Sequence, residues 1–234
     1  MEVVGLGQLQ QRATYAYSGG RLASVEVDET ADGTPESRSV YAYNTAGLLE
    51  SVVYSTPVSV PKMRFFYAYD ANNLMVQVET DLDVDGTVNS RTTYGRDPSG
   101  RLLLIDSDNQ ADGTPDVRTT YGYDANGFNV LQETDTGVDG TVDQRTTMTV
   151  NATGQPLRIS SDTDLDGNAN SITVWTYSPN GELLTLEQDH SADGTVDSRS
   201  VYTYDGAGNL LRMDLDTPLG SPTEYTYTYS FACW

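Results

Sequence analysis

Apolar and small residues alternate along this chain in short runs. Ala68 separates Tyr67 from Tyr69, Gly122 separates Tyr121 from Tyr123, Thr176 separates Trp175 from Tyr177, and Thr203 separates Tyr202 from Tyr204. A second set of runs is apolar at alternate positions: Val76/Val78, Leu103/Ile105, Leu157/Ile159, Leu184/Leu186 and Leu211/Met213. Residues two apart share one face of a β-strand, so each run predicts a strand with one buried face. No stretch keeps a 3.6-residue apolar period, and Tyr, Thr and Val are plentiful. The expectation is an all-β chain rich in turns.

The two kinds of strand recur in a fixed order. The tyrosine position returns at Tyr15, Tyr41, Tyr67, Tyr94, Tyr121, Met148, Trp175, Tyr202 and Tyr229. The first two intervals are 26 residues and the rest are 27. Each unit reads as strand A, a tight turn, strand B and a longer acidic loop. The turns start with Asp, Asn or Ser and end in Gly, as in Asn44–Gly47, Asp97–Gly100, Ser178–Gly181 and Asp205–Gly208. A short polar side chain caps such a turn and Gly supplies its positive φ, which makes A and B an antiparallel hairpin. The fold class predicted is an antiparallel β-hairpin repeat array of 27-residue units. Residues 1–10 form a leading strand, 11–224 eight repeats and 225–234 a terminal strand of one array. A flat sheet of about seventeen strands leaves its apolar face wet, so the array is expected to curl into a coil or barrel. A β-solenoid with one coil per unit is the alternative geometry.

Tyr202-Thr203-Tyr204-Asp205-Gly206-Ala207-Gly208-Asn209-Leu210, Tyr121-Gly122-Tyr123-Asp124-Ala125-Asn126-Gly127 and Tyr67-Ala68-Tyr69-Asp70-Ala71-Asn72 resemble the RHS/YD repeats. The resemblance recurs over most of the chain. It implies long antiparallel sheets that wind into spiral shells, as in bacterial surface and toxin-delivery proteins and animal cell-adhesion receptors. The period here is longer than usual in that family, because the B-to-A loop is expanded. Asp97-Pro98-Ser99-Gly100 looks like the family's self-cleavage motif, yet it stands in turn register and is read as a turn.

The loops between B and A carry the chemical signal. Six place oxygen-bearing side chains at alternate positions around an Asp-Gly or equivalent pair. The candidate metal ligands are Asp28, Asp32 and Glu36 in loop one and Asp81, Asp83, Asp85 and Asn89 in loop three. Loop four offers Asp108, Asp112 and Asp116, and loop five Asp135, Asp139 and Asp143. Loop six offers Asp162, Asp164, Asp166 and Asn170, and loop seven Asp189, Asp193 and Asp197. Loops three and six contain a full Asp-x-Asp-x-Asp-Gly. Alternate hard oxygens on a tightly turned loop suit calcium, and Gly at position six allows the sharp turn. There is no Glu at position twelve, where Thr92 and Thr173 stand, so further oxygens must come from elsewhere.

Charge supports the assignment. The net charge is −21, from 34 acidic and 13 basic residues. Eighteen of the acids lie at these loop positions, and the other sixteen nearly balance the basic residues. Carboxylates so close repel one another unless something positive lies among them. Arginine is the rival to calcium: Arg12, Arg38, Arg64, Arg91, Arg118, Arg145 and Arg199 each follow a loop or stand in its place. Loops two (Ser55 to Lys62) and eight (Asp216 to Glu224) carry two prolines each and read as stiff turns without an ion.

A chain this acidic is a poor partner for nucleic acid or anionic membranes. It has no apolar run near the roughly 20 residues of a membrane span. Its start shows no signal-peptide pattern. With one His (His190, at a non-ligand loop position, read as exposed) and one Cys (Cys233, read as a packed thiol), no nucleophile–base set stands apart from the repeat, so no enzyme is expected. The function expected is a non-enzymatic, extracellular or cell-surface, calcium-stabilised β-repeat module that presents a structural, adhesive or ligand-binding surface. Its partners would be calcium, a protein or glycan surface ligand, or other copies in self-assembly. A segment of an RHS-type toxin-encapsulating shell and a carbohydrate-binding module are the alternatives.

Overall fold

The computed structural model describes residues 2–5, 8–216 and 223–226, with side chains from 11 to 216. The expectations for loop eight between 217 and 222, and for Tyr229, Cys233 and the rest of the terminal strand, lie outside the described residues. The chain divides into two compact units, residues 1–118 and 119–234.

In the first unit the strands are β1 (Glu2–Gly5), β2 (Gln8–Ser18), β3 (Arg21–Asp28), β4 (Ser37–Tyr43), β5 (Leu49–Ser55), β6 (Pro61–Tyr69), β7 (Met75–Leu82), β8 (Ser90–Arg96) and β9 (Leu102–Asp108). β10 (Val117–Tyr123) falls at the boundary. The second unit continues with β11 (Asn129–Thr136), β12 (Gln144–Val150), β13 (Pro156–Asp162), β14 (Ser171–Tyr177), β15 (Leu183–Asp189), β16 (Ser198–Tyr204), β17 (Leu210–Asp216) and β18 (Thr223–Thr226). Within each unit, described strands pair antiparallel with their chain neighbours, as the hairpin reading expects. The solenoid alternative is not what forms, because each strand is hydrogen-bonded to the next in sequence and not to one a full repeat away.

The register repeats. Seven residues at the tyrosine position face an apolar residue of the following strand: Tyr15 pairs with Val25, Tyr41 with Val52, Tyr67 with Val78 and Tyr94 with Ile105 in the first unit. In the second unit Met148 pairs with Ile159, Trp175 with Leu186 and Tyr202 with Met213. These cross-strand pairs stabilise a sheet by about 0.2–1 kcal/mol each. Two residues further on, strand B carries one residue more than strand A, a β-bulge that recurs in hairpin after hairpin.

The bulge corrects the expected strand faces. Leu103, Leu157 and Leu211 occupy the extra position and are 36–40% exposed, so they do not share a buried face with Ile105, Ile159 and Met213. An inserted residue breaks the two-residue alternation at that point. Among the described residues no hydrophobic side chain is fully buried; the buried ones are Ser24, Ser37, Ser55, Ser200, Asp28, Asp81, Asp108, Asp135 and Asp189. The apolar rows are half-buried instead. Loss of water still raises the Tyr67 and Tyr121 hydroxyl pKa values above the ordinary 10.0, with neighbouring tyrosines adding to the effect.

The tight turns are built as predicted. Asp97 Oδ1 accepts the Ser99 and Arg101 N–H groups, and the Gly100 N–H closes on the Asp97 carbonyl, so Asp97-Pro98-Ser99-Gly100 is a hairpin turn. Successive turns also stack. The residue after one turn packs on the turn glycine of the next hairpin: Arg21 on Gly47 and Leu74 on Gly100 in the first unit. In the second unit Phe128 lies on Gly154, and the Gln155 amide donates to the Gly181 carbonyl.

Candidate metal centre

The loops of the first Asp begin where strand B ends. In loop seven that residue, Asp189, is buried beneath the loop. Its Oδ1 accepts the Asp193 N–H at 3.2 Å and its Oδ2 the Gly194 N–H at 2.9 Å. Asp28, Asp108 and Asp135 make the same two contacts in loops one, four and five. The middle acid of the Asp-Gly pair caps the next turn: Asp32, Asp85, Asp112, Asp139, Asp166 and Asp193 each accept the N–H two residues on. The last position reaches back. Glu36, Asn89, Asp116, Asp143, Asn170 and Asp197 accept the N–H of the loop's second residue at 2.5–2.7 Å. That task needs only a carbonyl-type oxygen, which is why Asn serves in loops three and six.

The acids at these positions thus serve the loop backbone as acceptors. The clamp also holds an unfavourable conformation: the residue before the Asp-Gly pair has positive φ in all six loops, including the β-branched Val84 and Val138. Gly at the sixth position has φ from 90° to 96°. Arg38, Arg91, Arg118, Arg145 and Arg199 pair with Glu26, Glu79, Asp106, Glu133 and Glu187 on strand B. These pairs were missed in the sequence, where their signal is a constant acid–Arg spacing of twelve residues. In the sixth repeat Ser160 stands opposite Ile172, so both charges are replaced together. His190 is exposed, as expected, with Nδ1 3.7 Å from Asp197.

Among the described residues, ligand oxygens gather within 4.8 Å of one another in two acidic groups: Asp28/Asp32/Glu36 and Asp162/Asp164/Asp166. In loop one each of these side chains already accepts a backbone N–H. Loop six differs. Asp162 keeps the Gly167 N–H at 3.2 Å, but its Oδ1 is buried without a hydrogen-bond partner. Asp81 in loop three has the same orphan Oδ1 and is 1% exposed. There, however, Asp83 has φ 64°, as Gly137 does with φ 84° at the matching place in loop five. That backbone turn separates loop three from loop six, where Asp164 is not in the left-handed region. Loop six alone therefore combines converging carboxylates with an unsatisfied buried oxygen. Its donors are all hard oxygens, which fits calcium and not a soft-ligand metal.

Hydrogen bonding from Thr195 lowers the Asp193 pKa, and hydrogen bonding from Asn209 and Arg101 lowers those of Asp205 and Asp97, all from the ordinary 3.8. A depressed folded pKa adds stability that is present above the unfolded value and lost as pH falls through the folded one. Thermal melts are therefore expected to hold steady above pH 3.8 on account of these groups and to fall steadily below it. A loss beginning well above that value would contradict the assignment.

No family model matches the sequence, and no curated protein matches it. Among solved structures the chain is similar to TcdB2-TccC3-TEV, at 19% identity and a TM-score of 0.55, over 95% of this chain and 13% of that one. It is also similar to the Photorhabdus luminescens Tc holotoxin pore, at 18% identity and a TM-score of 0.54, over 95% and 13% respectively. The chain spans about an eighth of the length of those chains. At such identity the likeness concerns the fold alone, an array of antiparallel β-hairpins.

Proposed function

We propose that the chain is a non-enzymatic structural segment of an extracellular RHS-type β array, one of whose loops holds calcium. The observation that carries this is the register, repeated from hairpin to hairpin, which leaves no place set apart for chemistry except the loops. The likeness to Tc toxin structures supports the shell-segment reading over a free-standing adhesive module. Asp162, Asp164 and Asp166, with Asn170 beside them, would hold the ion, and water would complete its shell. Calcium there cross-links the ends of β13 and β14, which flank the loop. A site of few protein ligands belongs with extracellular modules, whose dissociation constants are about 10⁻⁴ to 10⁻³ M. It is filled outside cells and empty in the cytosol, which supports the localisation.

Surface labelling of intact producing cells with a membrane-impermeant amine reagent, together with protease shaving, tests the reading. The chain is expected to be labelled and shaved without lysis, either on cells or in the medium. Recovery solely from the lysed cytosolic fraction would contradict it.

A further inference from the structure

In the second unit the residue after one tight turn lies against the next turn. Phe128 does so at Gly154, with its ring where an added Cβ would stand. At the following step Gln155 takes that place, and its Nε2 donates to the Gly181 carbonyl at 2.9 Å. An open crevice of about 440 Å³ remains between the turn that starts at Asn151 and the turn that starts at Ser178. That volume lies within the range of small-molecule sites, about 300–1,000 Å³.

The crevice is polar and carries no formal charge. Asn151, Thr153, Gln155, Ser178, Pro179 and Asn180 line it. Asp124 and Asp205 start the flanking turns, but Asn151 and Ser178 start the two between them. Most of the lining groups are fixed. Asn151 Oδ1 accepts the Thr153 and Gln155 N–H groups, both at 3.0 Å, and Nδ2 donates to Gln155 Oε1 at 2.8 Å. The Thr153 hydroxyl donates to Asn151 Oδ1 at 2.7 Å, and the Ser178 hydroxyl donates to the Glu182 carboxylate. Two groups keep bonding capacity. One Nδ2 hydrogen of Asn151 and the side-chain amide of Asn180 have no hydrogen-bond partner among the described residues. The Pro179 ring adds an apolar surface beside them.

This set suits a neutral, hydroxyl-rich ligand. A sugar hydroxyl both donates and accepts, as a carboxamide does, and the C–H face of the sugar ring can rest on proline. An anion meets no cation in the lining and is repelled by a chain of net charge −21. A cation meets no carboxylate in the lining. A purely apolar ligand would strip water from the amides without replacing its hydrogen bonds. We propose that the crevice is a binding site for a neutral saccharide, held by Asn151 and Asn180 and resting on Pro179. This goes beyond the structural role proposed above and depends neither on calcium nor on where the chain resides. An open site with few anchors binds weakly, with dissociation constants of about 1–10 mM.

Titrating the ¹⁵N-labelled full chain with maltose, cellobiose and N,N′-diacetylchitobiose to about 50 mM tests this. At least one sugar is expected to shift the side-chain amide signals of Asn151, Gln155 and Asn180. Asn126 holds the place of Asn180 in the turn from Asp124 and is expected to stay unmoved. Asn180→Ala should weaken binding about three- to tenfold, the worth of one neutral hydrogen bond. Its turn is kept, because the Asn180 and Gly181 N–H groups, and not the Asn180 side chain, bond to Ser178. Gln155→Phe repeats the Phe128 arrangement one step on, fills the crevice and should abolish binding. No shift with any of the three sugars would overturn the proposal. Equal shifts at Asn126, affinity unchanged by either substitution, or tighter binding of glucuronate than of the neutral sugars would overturn it too.

Discussion

Asp189→Ala is expected to destabilise the chain by about 2–4 kcal/mol, with calcium and with EGTA alike. The side chain is buried, and its two oxygens accept the Asp193 and Gly194 N–H groups. Removing it leaves two donors under the loop without an acceptor, at about 1–3 kcal/mol each, and water relieves part of that. The same loss frees Ala192, which has φ 52°, a left-handed conformation disfavoured for a residue with a Cβ. Asp193→Ala removes only an exposed cap on Thr195 and is expected to cost about 1 kcal/mol. Urea unfolding of both variants measures the difference. If the two losses were equal and vanished in EGTA, the loop acids would be metal ligands first and backbone acceptors second.

Gly154→Ala is expected to cost about 2–4 kcal/mol, from two sources. The residue has φ 84°, where a Cβ costs about 1–2 kcal/mol. The new methyl would also lie 2.4 Å from Phe128 Cε1 and 2.8 Å from Cδ1 and Cζ, so the ring must move, at about 1–3 kcal/mol. Gly194→Ala separates the two. Its φ is 90° and nothing lies within 4 Å of the added Cβ, so only the backbone cost of about 1–2 kcal/mol applies. A Phe128→Ala background should remove the excess at residue 154 in a double-mutant cycle. Equal losses at Gly154 and Gly194 in thermal or urea unfolding would show that the turns do not bear on one another.

The period, the hairpin pairing and the turn chemistry were legible in the sequence, because each depends on contacts within about ten residues. Asp-x-x-Gly specifies its own turn, and the spacing of Tyr67 and Tyr69 fixes their common face. The bulge was not legible. Leu157 and Ile159 look like neighbours on one face, and only pairing with β12 reveals that Leu157 is the extra residue. The buried face failed for a related reason: period-2 patterning says which side chains share a side but not how much covers them. Position alone could not assign the loop acids a role. Asp28, Asp32 and Glu36 recur as ligands would, yet the same spacing places three acceptors where the loop backbone has free N–H groups. Loop six became distinct only through the orphan oxygen of Asp162, and loop three lost its apparent equivalence through the turned backbone of Asp83.

The central claim is that the six acidic loops are held by their own amides, and that loop six adds a calcium site. The loop glycines Gly33, Gly86, Gly113, Gly140, Gly167 and Gly194 report on this one by one, since each N–H except that of loop six and loop three is clamped by a fully engaged carboxylate. A calcium titration to about 10 mM, followed by ¹H–¹⁵N correlation spectra, is the direct measurement. The account predicts that the Gly167 amide shifts and that Gly33, Gly86, Gly113, Gly140 and Gly194 stay in place. All six moving with one midpoint, or none moving at all, would contradict it.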